Sequence, residues 1–190
     1  GLYGSKHYCE HPAFPNDKTV FMLNMDMIGR VVPSEEKGAN GETVKKDRLV
    51  VYGTGTSTGL ADRVQETNKK FDFKLLKVPG GDGPSDHASF YRKDIPVLFF
   101  FTGTHKDYHR PSDTPDKINT AGLLKVADYV QAFADHYATV KEKPDFLKTK
   151  GGEEDPTDPT PRTGRRDGPR MGLMPGNYGE QDAGLLVGGV

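Results

Sequence analysis

Three short stretches hold the side chains able to do chemistry. Asp26 closes the apolar segment from Thr19 to Asp26, where an ionised carboxylate is costly unless it is paired, capping or bound to a metal. The segment Gly83-Pro-Ser-Asp-His-Ala-Ser-Phe90 brings Ser85, Asp86 and His87 together. A third, His105-Lys-Asp-Tyr-His-Arg-Pro-Ser-Asp-Thr114, adds Tyr108, His109 and Asp113. Each lies beside an apolar run. In an open α/β sheet such loops gather at the carboxyl edge of the strands, where carboxylate and imidazole donors from distant positions can converge as metal ligands. Taken alone, Asp26 reads equally as a capping or salt-bridged residue, and Ser85 and Asp113 as loop caps.

Two patterns that invite a different chemistry do not hold. His105 and His109 have the spacing of a helical zinc-protease motif, but Lys106 stands where that motif needs glutamate, and Gly103 and Pro111 favour a loop. The loop Gly53-Thr-Gly-Thr-Ser-Thr-Gly59 lacks the Gly-Lys-Ser/Thr ending of a phosphate cradle and reads as a strand-to-helix turn. Cys9 is the one cysteine, so no intrachain disulfide forms. His105 reads as solvent-exposed.

The elements that position these residues follow from apolar patterning. Thr19 to Asp26 is apolar almost throughout, as expected of a central strand buried on both faces. Arg48 to Tyr52 predicts a strand leading into a helix from Leu60 to Asn68, with Ser57 or Thr58 as its cap. Phe71 to Val78 and Ile95 to Phe101 predict two further strands, and from Thr120 to Tyr137 apolar residues recur every three or four positions, the mark of an amphipathic helix. The fold class is therefore α/β.

After Lys143 the composition turns to Gly, Glu, Asp, Pro, Thr and Arg, too polar to offset its ordering entropy, so residues 144–168 are expected to be a disordered linker. Residues 1–143 then form one domain, and residues 169–190 hold two short strands around a turn. With 26 Lys and Arg against 27 Asp and Glu, the chain has no positive field to hold nucleic acid. Its longest apolar runs fall well short of the roughly 20 residues a membrane span needs. The chain opens on Gly with no signal-like segment, and is expected to begin inside a longer protein.

Leu-Asn-Met-Asp-Met-Ile-Gly29, Gly-Pro-Ser-Asp-His-Ala-Ser-Phe90 and Phe-Phe-Thr-Gly-Thr-His-Lys-Asp-Tyr-His-Arg-Pro-Ser-Asp-Thr114, in that order and spacing, resemble the zinc aminopeptidase family of aminopeptidase Y and the bacterial secreted leucine aminopeptidases. The likeness runs from Gly1 to about Tyr137, and the opening Gly-Leu-Tyr-Gly-Ser-Lys-His-Tyr8 resembles the helix that follows a Glu-Glu pair in that family. It implies the C-terminal half of a mixed-sheet, three-layer zinc exopeptidase domain acting on peptides. Asp26 would be a ligand of one of two zinc ions and His109 of the other. Tyr108 would donate to the oxyanion, with Ser85, Asp86 and Asp113 around the ligands and Asp113 orienting His109.

The family's other His ligand, bridging Asp, general-base Glu and neighbouring Glu ligand have no counterpart here, so this fragment is expected to be inactive alone. The tail from Pro169 resembles the start of a PDZ domain, which when complete binds a peptide C-terminus. Relatives with such appended domains imply a periplasmic or extracellular address. Two other readings share the fold: a glutaminyl cyclase-like acyltransferase, and a non-catalytic receptor-like relative that binds a partner.

Overall fold

The structure is a computed structural model and describes residues 2–37, 40–150, 174–175 and 187–189. The chain opens with helix α1 (Tyr3–Glu10) and continues through strands β1 (Met22–Met25), β2 (Pro33–Lys37) and β3 (Thr43–Tyr52). Helix α2 (Leu60–Asn68), β4 (Lys74–Val78), the short helix α3 (His87–Tyr91), β5 (Val97–Phe101) and helix α4 (Thr120–Thr139) follow. The sheet runs β1-β5-β3-β2, with β4 also paired to β3. β1 and β5 are parallel, as are β3 and β4, whereas β3 is antiparallel to both β5 and β2. The sheet is therefore mixed, as the resemblance implied.

Alternation along β3 and β5 builds two cores, because successive strand residues point to opposite faces. Leu49, Val51, Leu98 and Phe100 meet Leu60 and Val64 of α2 and Val126, Tyr129, Val130 and Phe133 of α4. Val50, Tyr52, Phe99 and Phe101 form the second cluster. On that face His87 of α3 stacks on Phe99, and α1 lies over α3 through a 2.9 Å hydrogen bond between the Ser5 and Ser89 hydroxyls. Helices thus cover both faces, giving three layers. Burying the apolar side chains of β3 and β5 is the main driving force, at about 1.5–3 kcal/mol for each fully buried large aliphatic or aromatic residue.

Local chemistry ends the elements where the sequence turns polar. The Asn119 side chain accepts from the Gly122 amide at 2.9 Å and donates to the Val31 carbonyl at 3.0 Å, so it caps α4 and ties it to the segment after β1. Asn68 closes α2 by exchanging two bonds with the Phe73 backbone. Gly53 sits at φ 82° with the Val97 carbonyl where a side chain would be, 2.2 Å from an added Cβ, so only glycine fits.

Tyr129 fills the first core among Phe71, Phe73, Phe100 and Phe133, and its hydroxyl donates to the Val64 carbonyl at 2.7 Å. Tyr129→Phe keeps the ring and loses only that bond. Urea unfolding is expected to show a loss of about 1 kcal/mol, and an unchanged midpoint would deny the bond any weight.

Four expectations need correction. Among the described residues β1 is not central: it pairs only with β5, and Met25 is 48% exposed. Its apolar residues are therefore half-buried instead of enclosed. Neither Ser57 nor Thr58 caps α2, whose N-cap is Gly59 in the left-handed region. Both hydroxyls, and the Thr58 amide, instead donate to the Asp145 carboxylate. That contact bears on the linker boundary at 143, since Leu147 also bonds Thr56 and Thr149 bonds Tyr91. The domain's contacts thus continue to Thr149, because short polar side chains can bind backbone and hydroxyl groups where there is no apolar face to bury. Lastly, β2 was not anticipated: its Pro-Ser-Glu-Glu-Lys sequence is a charged edge pairing against β3.

Of the expected C-terminal strands, Met174–Pro175 and Val187–Gly189 pair antiparallel. The rest of residues 151–190 lies outside the described residues.

Candidate active site

Because β1 and β5 are parallel neighbours, the residues that follow them leave the same edge of the sheet. Asp26 follows β1 directly, its amide donating to the Phe100 carbonyl at 3.2 Å. The loop after β5 carries Tyr108 and His109. The two segments are stitched together: Thr102 Oγ1 donates to the Met27 carbonyl at 2.5 Å, and Arg30 pairs with both Asp107, at 3.6 Å, and Asp113. The topology thus brings Asp26 and the Tyr108–His109 pair to one edge.

Asp26 is exposed, so the desolvation cost that singled it out in the sequence is not incurred. It is nonetheless held. Ser85 Oγ donates to Asp26 Oδ2 at 3.0 Å and itself accepts from Asn24 Nδ2 at 2.8 Å. Ser85 is buried and bonded to the carboxylate, which replaces the loop-cap reading with an orienting one. The bond engages one carboxylate oxygen, Oδ2.

Ser85 reaches this edge by an unexpected route. It follows β4, which runs parallel to β3 and so opposite to β1 and β5. The Gly53 amide bonds the Gly80 carbonyl at 2.6 Å beside the start of β5, and from there the chain crosses the sheet face to Asp26. Asp86 is exposed at the N-cap of α3 and makes no side-chain cap bond.

His87 lies beneath this chain of bonds, fully buried and stacked on Phe99 with ring centroids 4.4 Å apart. Its Nδ1 is 3.4 Å from Asn24 Nδ2, and its Nε2 has no hydrogen-bond partner among the described residues. Burial pushes its pKa down to about 4, against the opposing pull of Asp82 and Asp86, so the ring is neutral at pH 7.

In the other loop, Tyr108 is 46% exposed and its ring is 4.0 Å from that of His109, which adopts φ 55°. A non-glycine residue in the left-handed region is held there by its surroundings. Asp107 precedes this pair in the loop, and its carbonyl accepts from the Arg110 amide at 3.0 Å. It is 4% exposed and takes bonds from Lys117 Nζ at 2.8 Å and Ser112 Oγ at 2.7 Å. Those bonds, Lys117 first, hold its pKa down at about 2. Asp113, expected to orient His109, pairs with Arg30 and lies 4.0 Å from His105 Nε2. His105 corrects its own expectation: its side chain is 16% exposed and its Nδ1 is buried with no hydrogen-bond partner among the described residues.

Asp26 and His109 are donors of the kind zinc accepts. Among the described residues, no three His, Cys, Asp or Glu side chains gather where a metal could be held. The two donors fit zinc in chemistry, while a tetrahedral shell needs others besides them. Sequence reasoning passed over Asn24, Arg30, Asp107 and Lys117. Asn24 had a signal, a polar residue inside an apolar strand; Arg30 and Lys117 had none.

Several solved structures share this arrangement of elements. An aminopeptidase of Legionella pneumophila, LapA, is 25% identical with a TM-score of 0.57, the match covering 75% of this chain and 37% of that one. The zinc aminopeptidase BSAP of Bacillus subtilis is 26% identical with a TM-score of 0.55, covering 79% and 36%. An aminopeptidase of Aneurinibacillus sp. strain AM-1 is 26% identical with a TM-score of 0.51, covering 82% and 33%. The chain spans about a third of the length of these proteins. No curated protein sequence matches it. Residues 1–134 match peptidase family M28, a span that takes in α1, every strand of the mixed sheet and the loops that carry Asp26, Tyr108 and His109, and the chain belongs to that family.

Proposed function

We propose that this chain is the C-terminal part of the catalytic domain of a zinc-dependent aminopeptidase, which removes N-terminal residues from peptides. The observation that carries the reading is the pair of unlike donors at one sheet edge, Asp26 after β1 and His109 after the parallel β5. Membership of a peptidase family and likeness to a zinc aminopeptidase support it. In this reading Asp26 and His109 each hold one of two zinc ions, and the remaining ligands and the general base lie upstream in the longer protein.

Bound zinc supplies Lewis acidity to a water nucleophile and to the scissile carbonyl. This chain's residues do the rest of the work at the edge. Ser85 holds one oxygen of Asp26 by a hydrogen bond and Asn24 fixes the Ser85 hydroxyl. Tyr108, exposed beside His109, donates its phenol to the oxyanion that forms as the carbonyl is attacked. Asp86 and Asp113 contribute negative charge at the rim.

The finer assignment is to the relatives of aminopeptidase Y and the secreted bacterial leucine aminopeptidases. Residues 1–143 belong to the peptidase domain, whose hydrogen bonds extend through Asp145, Leu147 and Thr149; the rest of the stretch to residue 168 is a linker, and 169–190 are the first strands of a PDZ-like domain that, when complete, takes a peptide C-terminus. The protein is exported to the periplasm or beyond.

The test is hydrolysis of aminoacyl-p-nitroanilides by the full-length protein before and after chelation. Activity is expected to disappear with the metal and to return on adding zinc; activity that survives complete zinc removal overturns the proposal. Cyclisation of an N-terminal glutamine without hydrolysis would mark a glutaminyl cyclase instead, and zinc binding with neither activity a receptor-like relative.

A further inference from the structure

We propose that Asp107 is a positioning residue that clamps the Tyr108–His109 loop to the segment carrying Asp26, and so sets the spacing of the two metal-binding side chains. The inference rests on the zinc aminopeptidase reading and extends it to a residue with no direct part in the chemistry.

Asp107 immediately precedes Tyr108 and is almost fully buried, at 4% exposure, on the loop after β5. A buried carboxylate is stable only when its oxygens are satisfied, and the way these are satisfied is informative. Oδ1 takes Lys117 Nζ at 2.8 Å and Ser112 Oγ at 2.7 Å, both from the far arm of the same loop. Oδ2 faces Arg30 at 3.6 Å, four residues beyond Asp26 on the segment after β1. Arg30 also grips Asp113 on the far arm, and Lys117 Nζ donates to the Ser112 carbonyl at 2.5 Å.

The carboxylate therefore closes the loop on itself with one oxygen and ties it across to the Asp26 segment with the other. Within the loop the Arg110 amide bonds the Asp107 carbonyl at 3.0 Å, which ties the backbone on either side of His109 to the clamped residue. Without the clamp, the left-handed backbone at His109, φ 55°, loses part of what holds it.

The same contacts would suit a residue that serves stability alone, so the test must read something that stability does not move. In the full-length protein, zinc affinity is measured by competition with a chromophoric chelator, alongside kcat and KM. For Asp107→Asn, which keeps the shape of the side chain, one of two zinc sites is expected to weaken about 10–100-fold, the range found when groups supporting metal ligands are removed. The other site is expected to stay close to wild type, and kcat to fall while KM changes little. Should the single variant fail to fold, Asp107→Asn combined with Lys117→Met removes the stranded cation and carries the same test.

Unchanged zinc affinity and kcat in a folded variant overturn the clamp, as does equal weakening at both sites, which marks a general loosening. A wild-type protein that binds two zinc ions beside an unaffected variant condemns the clamp alone. A wild-type protein that binds none removes the functional reading and the clamp together.

Discussion

Asp26→Asn in the full-length protein is expected to lower kcat/KM for aminoacyl-p-nitroanilide hydrolysis by at least about 10³-fold, roughly 4 kcal/mol of transition-state stabilisation at 1.36 kcal/mol per decade. Asparagine is chosen because it preserves the shape of the side chain and an oxygen that can still accept from Ser85, now at 3.0 Å. It removes the negative charge that a zinc ligand contributes. If Asp26 were only a loop residue satisfied by Ser85, this substitution would cost little, because the residue is exposed and its hydrogen bond survives. The two roles are thus separated by size of effect. A variant within tenfold of wild type, with zinc content unchanged, would remove Asp26 from the metal site and with it the carboxylate half of the proposal.

The parts of the fold that were legible in the sequence are those whose burial is uniform. Val97 to Phe101 is apolar at every position, and every position is buried; α4 shows its helical period from Leu123 to Tyr137. Where burial is one-sided or absent, pattern failed. β2 is a run of Pro, Ser, Glu and Lys held by its ladder to β3, so its strand character comes from backbone pairing that side-chain composition does not record. β1 looked central because its residues are apolar, yet apolarity does not say how many neighbours a strand has, and the described residues give it one.

The site was legible in a similar, partial way. The donor-bearing loops could be named because Asp, His and Tyr stand out beside apolar strands. Their supports could not, because Arg30 and Lys117 gain meaning only when Asp107 is seen between them. Ser85 is the sharpest case. Its loop leaves the sheet at the end opposite Asp26, and only the crossing over the second core delivers its hydroxyl to the carboxylate. No local pattern encodes that path; it is a consequence of β3 and β4 running against β5.

A second large effect is expected from acid. The His87 ring has an unfolded pKa of 6.5 and is pushed to about 4 in the folded protein by burial. Its folded pKa is the lower one, so between these two values the unfolded chain binds a proton that the folded chain refuses. Stability is therefore complete above about pH 6.5 and falls as pH drops towards 4, by about 3 kcal/mol in all at 1.36 kcal/mol per unit. The cause is structural: the ring stacks on Phe99 with no exposed edge, and the cost of burying a second proton there outweighs the attraction of Asp82 and Asp86. His136 is shifted in the same direction, more weakly placed on α4, so the wild-type slope includes both. Asp107, Asp116 and Asp145 have lowered pKa values and lose their contributions only as pH falls below the ordinary carboxylate value of 3.8. Urea midpoints of this chain across pH 4 to 7, compared with those of His87→Gln, isolate the His87 contribution. The variant should lose most of the slope between pH 6.5 and 4; a slope as steep as that of wild type would show that His87 is not the group responsible. Because Asn24 contacts both this ring and Ser85, the same proton would enter beside the hydrogen bonds that hold Asp26.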